Sequence, residues 1–166
     1  MAIRTILHYP DPRLREAAAP IERVTPEISR LIDDMAETMY AAPGVGLAAT
    51  QIGEPHRVFL IDIAADDEPS NLLVFINPEL VEATGDRLHT EGCLSFPGVS
   101  EDIKRAERVK VRALDRQGQS FELEAEGLLS VAIQHENDHL NGVLMVDRMG
   151  LLRRRAVHRQ MTRRGA

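Results

Sequence analysis

The chain has 166 residues with 43% hydrophobic, 28% charged and a net charge of −6, the balance of one soluble globular domain with a sizeable core. No apolar run reaches the roughly eighteen residues that a membrane-spanning helix needs, and the start MAIRTILHYPDPR lacks a long apolar stretch, so neither a membrane partner nor a secretory signal is expected. A single cysteine, Cys93, excludes an internal disulfide and makes a reducing cytoplasm the expected compartment.

In chain order, Tyr9-Pro10-Asp11-Pro12 reads as a rigid turn. Thr25-Pro26-Glu27 then reads as the N-cap and first turn of a helix. Its apolar residues Ile28, Leu31, Ile32, Met35 and Met39 recur at helical spacing until Pro43-Gly44 stops it. Beyond the small-residue stretch Gly44–Gly53, two strands are expected at Arg57–Ile63 and Leu72–Ile76, separated by the acidic loop Ala65–Ser70. Arg108–Leu114 alternates with period two, Asp115–Gly118 supplies a turn, and Ser120–Glu126 returns as the hairpin partner. From Leu128 to Leu140 the pattern is helical, with Gly142 just past its end. Strands outnumber helices and the hairpin signals favour antiparallel pairing, so the expected class is α+β.

The last sixteen residues hold six arginines (Arg153, Arg154, Arg155, Arg159, Arg163, Arg164) and no acid, leaving 14 basic against 26 acidic residues in 1–150. Such a tail either forms a solvated terminal helix or binds phosphate locally through its guanidinium forks, while the acidic body repels nucleic acid.

The chemistry concentrates in His135-Glu136-Asn137-Asp138-His139, an H-E-x-x-H pattern. On a helix the two imidazoles stand about 5–6 Å apart at Cβ and can share one metal ion. Glu136 lies a quarter turn away, where it flanks the ion and can accept a proton from water. A catalytic ion needs a third protein ligand and an open position. Thermolysin-like enzymes take it from a later Glu, but no Glu follows Glu136, and the last ligand position of the metzincin pattern holds Met145. Asp147 and His158 remain available, but Cys93 in Glu91-Gly92-Cys93-Leu94-Ser95-Phe96-Pro97-Gly98 fits better, because the glycines let backbone amides approach a small ligand. A thiolate and two neutral imidazoles leave a divalent ion with a residual positive charge that acidifies water. In Gly44-Val45-Gly46-Leu47-Ala48-Ala49-Thr50-Gln51, Gln51 is the one side chain able to donate an amide hydrogen bond.

Taken together and in order, GVGLAATQ, EGCLS and QHENDHLNG resemble the three motifs of the peptide deformylases, and the resemblance runs from HYPDPRLR to about residue 150. It implies an α+β fold of antiparallel β-sheets packed around a central helix that carries the H-E-x-x-H motif. Residues 1–150 would form the catalytic domain and 151–166 a short basic C-terminal tail of the same single-domain protein. The implied activity is hydrolysis of the N-terminal formyl group of formyl-methionyl nascent polypeptides, with release of formate. By the same resemblance the metal ligands are Cys93, His135 and His139, the general acid/base is Glu136, and the oxyanion donors are the Gln51 side chain and the Leu94 N–H. Gly46 offers a backbone carbonyl to the formyl-methionine end, and the methionine pocket falls on Val45, Leu128, Val131, Ala132 and the His135 ring. Glu91 and Arg105 match a supporting ion pair.

On donor chemistry alone a Cys-His-His set suggests Zn²⁺. The resemblance implies Fe²⁺ instead, with Zn²⁺, Ni²⁺ or Co²⁺ able to substitute. The arginine tail, shorter than the long basic C-terminal helix of close relatives, raises the ribosome as a further partner. Two competing readings are a zinc peptidase, which lacks its late Glu or His, and a nucleic-acid-binding module with a structural metal.

Overall fold

The structure, a computed structural model, describes residues 2–164. Helix α1 spans Pro26–Ala41 and starts as the sequence predicts, with the Thr25 side chain accepting from the Ile28 N–H at 3.2 Å. Strand β1 (Gly46–Ala48) follows, then a 3-10 turn (Ala49–Ile52), β2 (Val58–Ile61), β3 (Leu73–Thr84), β4 (Arg87–Gly92), β5 (Ser100–Arg105), β6 (Arg108–Leu114) and β7 (Ser120–Glu126). Helix α2 (Gly127–Leu140), a 3-10 turn (Met145–Arg148) and helix α3 (Leu151–Arg164) complete the order. Strands β1-β2-β3-β6-β7 form one antiparallel sheet in that order, and β4 and β5 form a separate two-stranded hairpin.

The five-stranded sheet lies between helices α1 and α2, and β2 explains how. Its four residues are all buried, with Val58 and Leu60 packing with Ile28, Leu31, Ile32, Met35 and Met39 of α1. Phe59 and Ile61 point the other way, into a cluster with Ala132, Ile133 and Leu140 of α2. A strand covered on both faces has no polar side, hence the unbroken apolar run. Strand β6 is covered on one face only: Val109, Val111 and Ala113 are buried, while Arg108 and Arg112 are exposed.

The strands differ from expectation in three places. Strand β3 continues well past Ile76, through Asn77 and Pro78, because the register with β6 shifts between Ile76 and Glu79 and again before Glu82. Those bulges accommodate the proline, which has no N–H to give the ladder. Strand β1 emerges from the small-residue stretch. The β4–β5 hairpin was invisible in the hydrophobic pattern because its inward positions are largely polar: Arg87, His89 and Glu91 on β4 and Arg105 beside Ile103 on β5.

A third cluster joins the N-terminal segment to the C-terminal helix. Val157 and Met161 of α3 are buried with Leu7, Leu14, Phe96 and Val146, so α3 is a docked helix and not merely a solvated one. Asp147 pins the junction, accepting from the Leu144 N–H at 2.9 Å, from Arg154 at 2.8 Å and from Arg15. Burial works against its ionisation, but these donors together hold the carboxyl below the usual carboxylate range. A carboxyl depressed on folding adds stability that is complete above its unfolded value near 3.9 and disappears as the pH falls through the folded value. Asp147→Asn is therefore expected to lower stability by about 1 kcal/mol at pH 7. Urea unfolding should show that difference shrinking steadily below about pH 4.

Candidate active site

The site forms where α2, the end of β4 and the β1 turn converge. His135 and His139 lie one helical turn apart on α2 and are both buried, with ring centroids 5.0 Å apart. The turn after β4, closed by the Phe96 N–H donating to the Cys93 carbonyl at 2.9 Å, brings Cys93 Sγ to 3.3 Å from His139 Nε2. One ligand atom from each of Cys93, His135 and His139 falls within 4.8 Å of the other two, the metal-binding group found among the described residues. A tetrahedral ion with Zn–S near 2.3 Å and Zn–N near 2.0 Å holds its ligand atoms about 3.5 Å apart, so the trio fits a divalent metal. Asp147 and His158, the other candidates for the third ligand, are engaged elsewhere: Asp147 as above, and His158 Nδ1 with the Tyr9 hydroxyl at 3.0 Å.

A buried charge network orients the first histidine. Glu91 lies 2.9 Å from His135 Nδ1, and an Nδ1–H donated to that carboxylate leaves Nε2 free for a ligand. The same carboxylate takes two bonds from Arg105, at 2.7 and 2.9 Å, and Arg105 reaches Asp138 at 2.6 Å. Burial opposes the charge on Glu91, but the Arg105 guanidinium and the His135 ring hold its carboxyl down at about 2. Burial likewise pushes the His139 ring well below its ordinary value, which favours the neutral imidazole a metal requires.

Glu136 is buried, and its Oε1 has no hydrogen-bond partner among the described residues. Burial pushes its carboxyl up to about 7, an ordinary operating point for a group that both takes and gives a proton. Gln51 is fixed by its own turn. Its Oε1 accepts from the Ala48 N–H at 3.0 Å, so its amide nitrogen turns toward Ser95 Oγ at 3.0 Å and Cys93 Sγ at 3.7 Å. Ser95, fully buried, was not singled out from the sequence, and only its place after Cys93-Leu94 marks it.

A cavity of about 650 Å³ has Val45, Gly46, Cys93, Leu94, His135 and Glu136 among its walls, while Gln51 and His139 do not line it. The backbone at Gly46 passes so close to Glu136 that a Cβ there would stand 2.6 Å from Oε2. Leu128, Val131 and Ala132 do not line this cavity. Val131 and Ala132 are buried on α2 toward its start, and Leu128 is half-exposed one turn earlier on the His135 side of the helix.

Fold and site together describe an α+β protein with a cysteine-histidine metal-ligand group beside a buried carboxylate. A family model for polypeptide deformylases matches residues 3–155. A peptide deformylase of Azotobacter vinelandii is 56% identical over 164 residues, covering 97% of this chain and 95% of the relative. The crystal structure of a peptide deformylase from Legionella pneumophila superposes with a TM-score of 0.92 at 48% identity, over 98% of this chain and 95% of that one. The Ehrlichia chaffeensis enzyme, in complex with actinonin, gives a TM-score of 0.94 at 33% identity, over 99% and 98% of the two chains. The chain belongs to the peptide deformylase family.

The charge network carries a stability prediction. Arg105→Met leaves the Glu91 carboxylate buried without its cation, a loss of about 3–5 kcal/mol, measured by urea unfolding.

Proposed function

We propose that this enzyme hydrolyses the N-terminal formyl group of formyl-methionyl nascent polypeptides and releases formate. The observation that carries the reading is the unpartnered, buried Glu136 carboxylate oxygen beside the Cys93–His135–His139 group, in a cavity open to a peptide. Cys93, His135 and His139 would hold Fe²⁺, the ion the family resemblance implies, with Zn²⁺, Ni²⁺ or Co²⁺ able to take its place. Such an ion supplies Lewis acidity, polarising the formyl carbonyl and lowering the pKa of water at the site.

The chain's own residues do the rest. Glu136 accepts a proton from the attacking water and passes it to the departing amine nitrogen. The Gln51 amide, held in one orientation by Ala48, donates to the oxyanion that develops at the formyl oxygen, and the Leu94 N–H donates beside it. Gly46 presents its carbonyl to the formyl-methionine end. Val45 and the His135 ring, which line the cavity, would meet the methionine side chain; the family resemblance adds Leu128, Val131 and Ala132, which do not line it. Such a contact discriminates only coarsely because one methylene is worth about 1–3 kcal/mol.

Residues 1–150 then constitute the catalytic domain and 151–166 a basic tail, whose helix α3 docks through Val157 and Met161. A thiolate ligand suits a reducing cytoplasm, and no helix among the described residues is long and apolar enough to cross a membrane. For the ribosome, the exposed Arg155, Arg159 and Arg163 form an i, i+4, i+8 row on α3, with guanidinium forks suited to phosphate. The side chain of Arg164 and residues 165–166 lie outside the described residues.

Protein prepared anaerobically with each of the four metals should release formate from formyl-Met-Ala-Ser. No release with any of them overturns the assignment. Glu136→Gln is expected to keep its metal and lose at least about 100-fold in kcat. Cys93→Ser should bind metal with lower stoichiometry and affinity. Replacing Arg155, Arg159 and Arg163 together by alanine should weaken co-sedimentation with ribosomes, and undiminished binding removes the tail from that role.

A further inference from the structure

The Pro43–Val45 backbone strip separates two cavities, the one at the candidate active site and a second of about 390 Å³ that Tyr40 and Asp62 also line. Open space on both sides limits the packing on this strip to places such as Gly44, where a Cβ would stand 2.7 Å from the Leu94 side chain. Val45 is 51% exposed. Hydrogen bonds at the strip's ends also set its position. The Gly44 N–H donates to the Met39 carbonyl at 2.8 Å, and the Asp62 N–H donates to the Val45 carbonyl at 2.8 Å, one step beyond the Gly46↔Ile61 pair of the β1–β2 ladder.

The Asp62 side chain has no basic partner among the described residues and is buried all the same. Its Oδ2 accepts from the Tyr40 hydroxyl at 2.6 Å and from the Asn71 N–H at 3.0 Å, and its Oδ1 accepts from the Ala64 N–H at 3.0 Å. One carboxylate therefore ties the end of α1, both ends of the 64–71 loop and, through its own backbone, the Val45 carbonyl. Immediately after Val45, Gly46 passes against Glu136. A shift of the strip by a fraction of an ångström would move the peptide-facing edge relative to that carboxylate.

We propose that Tyr40 and Asp62 are positioning residues for peptide binding: their bond holds the Val45–Gly46 edge at the height over Glu136 that an extended substrate requires. The proposal rests on the deformylase reading of the same cavity. Neither residue faces the catalytic cavity, so both act through the backbone they hold.

Tyr40→Phe removes one hydroxyl from a half-exposed ring and should leave the fold intact, and Asp62→Asn removes the charge that gathers the donors. With metal-loaded protein and formyl-Met-Ala-Ser, Tyr40→Phe is expected to raise KM at least threefold and Asp62→Asn about tenfold, with kcat within twofold of the parent and metal content unchanged. Asp147→Asn, a destabilising change far from the strip, should leave KM where it was. Hydrogen exchange supplies a readout independent of turnover: the amides of Gly44 and Asp62 should exchange at least tenfold faster in Tyr40→Phe, while those of α2 stay at the parent rate. An unchanged KM in both variants, a parallel rise in Asp147→Asn, or unchanged exchange at Gly44 and Asp62 overturns the positioning role. Absence of formate release from the parent protein instead overturns the deformylase reading, and the exchange rates then still decide whether Tyr40 and Asp62 hold the strip.

Discussion

The arrangement of the site depends on one buried carboxylate. Glu91 accepts both of its strongest bonds from Arg105 and stands at His135 Nδ1, while its own chain position, two residues before Cys93, places the sulfur beside His139. Arg105 in turn bonds Asp138 on α2, and Arg148 bonds the other side of that aspartate. Two guanidinium groups and two carboxylates thereby join a polar hairpin to an apolar helix. Taking Glu91 and Arg105 out of water is costly, and the cost is offset only because each meets an opposite charge at hydrogen-bond distance. The network buys geometry more than stability, since it fixes which nitrogen of His135 is free and where Cys93 can reach.

Around that junction the rest of the protein is a rigid frame. Helix α2 lies against one face of the five-stranded sheet and α1 against the other, and the apolar side chains of β2 alternate between them. Gln51 is held by an intraturn bond to Ala48 as well as by Ser95, so the direction of its amide is fixed by the fold. By contrast, the Pro43–Val45 edge is bordered by two cavities, and hydrogen bonding at its ends supplements its packing against Leu94.

Much of this was legible in the chain. The helix at Thr25-Pro26, the Arg108–Leu114 and Ser120–Glu126 hairpin and the motif helix follow local rules of capping, alternation and turn chemistry, and they stand where those rules put them. The β4–β5 hairpin does not follow such rules. Its inward side carries Arg87, His89, Glu91 and Arg105, with Glu91 paired to Arg105 and Arg87 to Glu107, so its alternation conveys little hydrophobic signal. The extension of β3 through Pro78 and the docking of α3 by Val157 and Met161 were hidden for a related reason: a bulge, or two apolar residues among arginines, acquires meaning only beside its partner.

The sequence by itself determined the reactive inventory: two histidines one helical turn apart with a glutamate between them, a solitary cysteine, and a glutamine among small residues. Helical spacing is a property of neighbouring residues, so no tertiary contact was needed to bring His135 and His139 together. Only the tertiary structure brought Cys93, 46 positions from His139, to 3.3 Å from its ring, engaged Asp147 and His158 elsewhere, and set Glu91 at His135 Nδ1. It also decided that Tyr40 and Asp62 converge on the edge of the cavity. Those outcomes depend on how a polar hairpin and a charge network fold onto one helix. No local propensity encodes such long-range pairings, because their energy exists only once both partners have left water together.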